Sequence, residues 1–236
     1  MSDSCRRLVT AGGVVLAAAG LAAAFRGPPC SHWRRLALTH GSLGLAALVA
    51  DPSARRPGGL DRRDVCAAVL IGLTLFAGSS IADTVACALV PALRNKRAAL
   101  HAASSMISPA LLCLLVTSVI APGEELFWRG LLQDHLERRF GRGGAAVLTS
   151  AIYAAAHGGT GDPAIVAAAF GLGGTLSLRR ADGASIGCLA LTHICYAVPV
   201  LLWARQQRFS LPGAEDGGEG GGEGEGRRPD RRERLT

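Results

Sequence analysis

The chain has 236 residues, of which 49% are apolar, 5% aromatic and 18% charged, and a formal net charge of +7. That apolar share excludes an ordinary soluble domain, all the more because residues 207–236 hold only four apolar positions and leave the first 206 residues richer still. In those 206 residues, 19 bases stand against 11 acids, and the bases fall in twos and threes between apolar runs without interleaved aromatics. The pattern excludes a nucleic-acid groove as a partner and points to anionic lipid headgroups.

Arg6 and Arg7 precede a first apolar run, residues 8–25. About eighteen residues is longer than a signal-peptide core, so a retained span is expected. Further runs occupy 36–50, 65–90, 106–121, 144–157, 163–178 and 184–204, and the expected fold is an all-α, polytopic transmembrane helical bundle of about seven membrane helices. Arg-bearing connectors separate them, and since nearly all carry bases, they assign no sidedness. Three regions are expected: N-terminal helices and connectors over 1–105, a catalytic helical core over 106–206, and a disordered Gly/Glu/Arg-rich tail over 207–236.

Within 65–90 lies Asp83, beside Ser79, Ser80 and Thr84; an acid at membrane depth is a functional candidate by default. Small residues at four-residue spacing, Ala167 and Gly171, followed by Gly173 and Gly174, predict close helix packing. Seven cysteines, with no C-x-x-C pair, read as unpaired thiols. His32, His40, His101 and His135 are read as structural or interfacial. Cys195 and His193 are two apart, on nearly opposite faces of a helix, which rules out a dyad between them.

The chemistry is concentrated at residues 121–132, APGEELFWRGLL, where two acids and a base interrupt a lipid-compatible sequence. Such charges are expensive there and need a reason. On a helix Glu125 and Arg129 share a face and can pair, while Glu124 is turned away by about 100°. Pro122 and Gly123 predict a local helix start, whose N–H groups favour a carboxylate. His157 ends one apolar run with Tyr153 a turn before it, and His193 lies inside another with Ala197 a turn after it. A carboxylate and an imidazole around one water make a general base, and a second imidazole can stabilise an oxyanion.

These residues resemble the CPBP family of intramembrane glutamic endopeptidases, the CAAX-protease, bacteriocin-processing or Abi family. Its motif E-E-x-x-x-R is similar to Glu124, Glu125 and Arg129; F-x-x-x-H to Tyr153 and His157; and H-x-x-x-N/D to His193, with Ala197 replacing the amide or acid. The resemblance covers about residues 106–204. It implies Glu124 as catalytic base, Glu125 with Arg129 as a stabilising pair, His157 as the partner on the water and His193 as oxyanion donor. Tyr153 supports them, and a water, the backbone, Thr192 or Tyr196 would stand in for the group missing at Ala197. No cofactor is expected; zinc at Glu124, His157 and His193 is the minority alternative, without an H-E-x-x-H helix to support it. The implied partners are membrane lipids and a protein or peptide substrate in or near the membrane. Abundant Arg and Ala with a single Lys suggest a high-GC bacterium and its plasma (inner) membrane. The rival functions are a non-catalytic binding or immunity protein and a small proton-coupled transporter using Asp83, Glu124 and the histidines.

Overall fold

The computed structural model describes residues 3–51 and 59–206, apart from the side chains of residues 3 and 95–101. The predicted tail, the connector centre 52–58 and the His101 side chain lie outside the described residues. Nine α-helices account for most of what is described: α1 Asp3–Arg26, α2 His32–Ala50, α3 Arg62–Leu89, α4 Ala92–Ser105, α5 Pro109–Leu115, α6 Ala121–Glu125, α7 Asp134–His157, α8 Pro163–Ala181 and α9 Ile186–Gln206. The starts are written in local chemistry. Asp61 accepts from the Asp64 N–H ahead of α3, Ser108 from Leu111 N–H ahead of α5, and Asp162 from Ala164 N–H ahead of α8. Pro109 and Pro163 occupy first-turn positions, where a missing N–H costs nothing.

The protein is an all-α integral membrane bundle, in which the exact count of seven membrane helices is not established. Among the described residues four segments are long and apolar enough to span: Ser4–Arg26, Arg62–Leu89, Pro109–Thr160 and Ile186–Gln206. Within the helical stretch 109–160 the runs 106–121 and 144–157 lie on two helices that meet at a kink at Gly141, φ 67° and ψ 174°, where the chain folds back to bring Tyr153 beside Glu124. α2 and α8 fall short because polar groups enter their runs: His32, Arg34, Arg35 and His40 on α2, Arg179 and Arg180 at the end of α8. Lipid-facing character is plainest on α3, whose Leu70, Ile81 and Leu89 are exposed.

Pro122 and Gly123 do not begin a helix. They sit inside the continuous segment, between π-helical stretches Val116–Ile120 and Leu126–Gln133. The wider turn carries the Ala121 N–H to the Val116 carbonyl, so the ladder passes the proline instead of ending at it. Gly123 serves close approach: a Cβ there would lie 2.2 Å from the His40 carbonyl oxygen, and one on Gly44 would lie 2.9 Å from the Gly123 Cα. α2 and α6 therefore touch backbone to backbone.

Of the small residues expected to pack on α8, Gly173 packs closely and Ala167 and Gly171 do not. Ala167 and Gly171 face outward, with open space over Gly171, whereas a Cβ on Gly173 would meet the Tyr153 ring at 2.7 Å. One buried cluster joins Leu43 and Ala47 of α2, Phe127, Trp128 and Leu131 after α6, and Tyr153 and Ala156 of α7. Close packing of this kind leaves no room for an added methyl, at a cost of about 1–3 kcal/mol. Gly123→Ala and Gly173→Ala are accordingly expected to lower the detergent-solubilised melting temperature by several degrees, and Gly171→Ala to leave it unchanged, in a thermal unfolding assay.

Candidate active site

Glu124 and Glu125 lie between the two π-helical stretches, both buried. Adjacent in sequence, they have different surroundings. Glu125 is fully buried, and its Oε1 accepts from Arg129 Nη1 at 3.1 Å and stands 2.8 Å from His193 Nδ1. Arg129, also fully buried, donates through Nη2 to the Gly173 carbonyl at 3.1 Å and lies 4.7 Å from the Tyr153 ring centre. One acid thus joins a base from its own segment to a histidine from α9, and the guanidinium ties the group to α8.

Glu124 faces a cavity of about 230 Å³. Its Oε2 accepts the Tyr153 hydroxyl at 2.6 Å and stands 4.0 Å from His193 Nε2. The other oxygen, Oε1, is 3.3 Å from His40 Nδ1. His157 and Tyr196 line the same cavity. His157 is set by its own turn, with Nδ1 2.9 Å from the Tyr153 carbonyl, and its ring tilts against the Tyr153 ring with centres 4.4 Å apart. A carbonyl can only accept, so Nδ1 donates there; Nδ1 of His193 likewise donates to the Glu125 carboxylate. Both imidazoles are left with Nε2 as the working nitrogen. A neutral Nε2 accepts a proton, so His193 donates to an oxyanion only in its protonated form.

The structure brings Glu124, His157, His193, Tyr153 and Tyr196 to one cavity and pairs Glu125 with Arg129 behind it. Of the two substitutes considered for the group missing at Ala197, Thr192 turns its hydroxyl to the Cys188 carbonyl at 2.9 Å, while Tyr196 lines the cavity beside Ala197. His40 is a correction. It was read as structural, yet it is buried against Glu124. The signal was present, since a histidine inside the apolar run 36–50 is costly without a partner. No motif spacing links it to Glu124, because the backbone contact of α2 with Gly123 makes the pair. His32, by contrast, stays structural, its Nδ1 3.0 Å from the Ala24 carbonyl and its ring packed on Phe25 and Trp33.

Residues 106–198 match the family model described as type II CAAX prenyl endopeptidase Rce1-like. The match is consistent with the CPBP family and implies a CAAX protease-type peptidase. It takes in Glu124, Glu125, Arg129, Tyr153, His157 and His193, and leaves His40 and the first four helices outside. No curated protein and no solved structure matches the chain.

As to a metal, Glu124, Glu125 and His193 each offer a ligand atom within 4.8 Å of the others. The donor types suit zinc, and Nε2 of His193 and of His157 would be its nitrogen ligands beside Glu124. Glu125, however, already has its charge met by Arg129, and Glu124 Oε2 accepts the Tyr153 hydroxyl, while His40 Nδ1 lies 3.3 Å from Oε1 without a hydrogen bond.

Because Glu125 has no water to fall back on, removing its cation leaves a buried charge, at about 3–5 kcal/mol. Arg129→Met is expected to destabilise by that order, and Arg129→Lys to recover only part, since one ammonium does not reproduce the fork to Glu125 and Gly173. Thermal unfolding of the two variants beside wild type measures the difference.

Proposed function

We propose that the protein is an intramembrane endopeptidase that hydrolyses a peptide bond of a membrane-associated protein or peptide with a water activated by Glu124 and His157. The observation that carries this reading is the buried Glu124 carboxylate at the cavity, with Oε2 4.0 Å from His193 Nε2 and the neighbouring acid already neutralised by Arg129. An oxygen of water or substrate can lie about 2.8 Å from both atoms of a pair 4.0 Å apart, so the reacting group fits between Glu124 and His193. Glu124 takes the proton of that water as its oxygen attacks the carbonyl carbon, while His157 orients it. Charge then develops on the carbonyl oxygen, where protonated His193 and the Tyr196 hydroxyl supply donors. Glu124 passes its proton to the leaving amine, the C–N bond breaks, and the products are a carboxylate and an amine.

His40 acts from outside the cavity. Packed 3.3 Å from Oε1, it limits how the carboxylate can turn, and the Tyr153 hydroxyl, hydrogen-bonded to Oε2, steadies that oxygen. Glu125 and Arg129 hold His193 in the tautomer with Nε2 inward. Metal-free chemistry is the preferred form because Glu124 Oε2 already accepts the Tyr153 hydroxyl and Glu125 is paired with Arg129. If zinc were bound, it would polarise the carbonyl and lower the pKa of a water.

The substrate class preferred is a protein with a C-terminal membrane sorting tail, or a leader-bearing peptide, in the inner membrane of a high-GC bacterium. A prenylated CAAX protein is the alternative that the family description carries. A non-catalytic binding or immunity role is the second reading, favoured by Ala197, which gives the cavity a methyl group where the motif has a polar one.

Glu124→Gln, nearly isosteric and unable to take a proton, is expected to keep the fold and abolish cleavage, a loss of at least about a hundredfold. Mass spectrometry of terminal peptides in membranes from cells with wild type or Glu124→Gln at matched abundance is the test. Uncut termini unique to the variant support the endopeptidase; identical termini with the phenotype retained support the binding role. Elemental analysis of purified protein is expected to find no stoichiometric zinc, and zinc that disappears with His157→Ala would overturn the metal-free form.

A further inference from the structure

A second cavity, of about 260 Å³, lies where four helices end or begin. Its walls come from the last turn of α1, the start of α2, the last turn of α4 and the connector leading into α8. Phe25 of α1 and Ile165 of α8 border it, and both also border the cavity that holds Glu124. The two spaces therefore stand back to back across these side chains, one inside the bundle and the other toward its end.

The connector after His157 ties them together. His157 faces the catalytic cavity, and three residues on, Thr160 lines the second one. Thr160 Oγ1 donates to the His157 carbonyl at 2.7 Å and accepts the Asp162 N–H at 3.2 Å. A Cβ on Gly159 would lie 2.7 Å from the Ala18 carbonyl oxygen, so glycine lets the connector rest on α1. Three residues of a 3-10 turn advance about 6 Å. An extended peptide covers that distance in about two residues.

Phe25 is a fixed wall. Its ring packs edge-on to His32, with centres 4.7 Å apart and planes at 77°; His32 meets Trp33 edge-on at 5.0 Å, and Trp33 Nε1 donates to the Ala103 carbonyl at 2.9 Å. The chain of rings that holds Phe25 is thus anchored on α4. Asp162 spends Oδ1 on the cap of α8, and His32 spends Nδ1 on the Ala24 carbonyl. Most of what faces the space is apolar: Ala24, Phe25, Ala102, Ala103 and Ile165.

Resting on the endopeptidase reading, we infer that the second cavity is a side-chain subsite, which takes a bulky apolar side chain of the substrate, Leu to Phe in size, one to three residues from the bond cut. Phe25 sets the size accepted. A preformed apolar space of this volume holds one large side chain, and it selects by fit because its walls are held by packing. The substrate class is thus a segment with one bulky apolar residue close to the cleavage point, on the side of that bond nearer the bundle end.

The test uses the full chain carrying Glu124→Gln in lipid nanodiscs and fluorescent ten-residue Ala/Ser peptides bearing a single Phe at successive positions. These isomers share one composition, so lipid takes them up alike. One position or two neighbouring ones are expected to bind at least tenfold tighter than the rest, and Trp there to bind more weakly than Phe. Ala102→Phe, which fills the second cavity from a wall that the catalytic one does not share, should erase the positional preference. Phe25→Ala, which widens the space, should move the optimum from Phe to Trp. The two variants act in opposite senses, so loss of fold in one leaves the other to decide. Equal binding of all isomers, or a preference for Phe at one position that neither variant changes, would overturn the subsite. Binding does not depend on turnover, so the two ideas separate. Isomers that bind alike yet are cut by the wild-type chain remove the subsite and keep the endopeptidase; a positional preference beside a wild-type chain that leaves every peptide intact does the reverse.

Discussion

The bond between Arg129 and Glu125 is the constraint around which the rest is arranged. A carboxylate inside a membrane bundle needs a cation, and a guanidinium in the same place needs several acceptors. Four residues apart on one helical segment, the two satisfy each other, and each then reaches to another helix: Glu125 to His193 on α9, Arg129 to the Gly173 carbonyl on α8. The pair contributes little net stability by itself, since desolvation offsets most of the attraction. What it supplies is register. α8 and α9 are held so that one imidazole edge and one carboxylate meet at the cavity wall.

Glycine makes the complementary contribution. Gly123 lets α2 come to backbone contact beside Glu124, and Gly173 lets α8 lie on Tyr153 and Arg129. Without those approaches His40 would stand farther from Glu124 and Tyr153 would have another neighbour. The π-helical turns on either side of the acids serve the same end, because they carry a proline through a continuous helix and keep Glu124 and Glu125 in different surroundings.

Much of the site was legible in the sequence because its signals are local. Charges in an apolar stretch announce themselves, and the four-residue interval of Glu125 and Arg129 says that they pair. The all-α membrane fold follows from the apolar runs alone. What was illegible depends on contacts between distant segments. His40 meets Glu124 only through a glycine-to-glycine approach, and spacing in one chain carries no trace of it. Pro122 is a related case, since it read as a helix start and the structure carries it inside a helix with π-helical stretches on either side. Among the small residues expected to pack on α8, the sequence does not tell Gly173, which lies on the Tyr153 ring, from Gly171, which has open space over it.

The loss of a polar group at Ala197 takes on a different meaning in this setting. In the motif the residue one turn after the histidine shares its face and adds a donor near the reacting carbon. Here that face carries a methyl group, and the nearest polar group on the same helix wall of the cavity is Tyr196. A phenol reaches farther than an amide, so a hydroxyl from the preceding position can serve a point that an amide at 197 would serve, with its ring filling part of the space. The methyl then becomes the first element of an apolar path along α9, through Val200 and Leu201 to Trp203, which an apolar substrate segment fits better than a polar one.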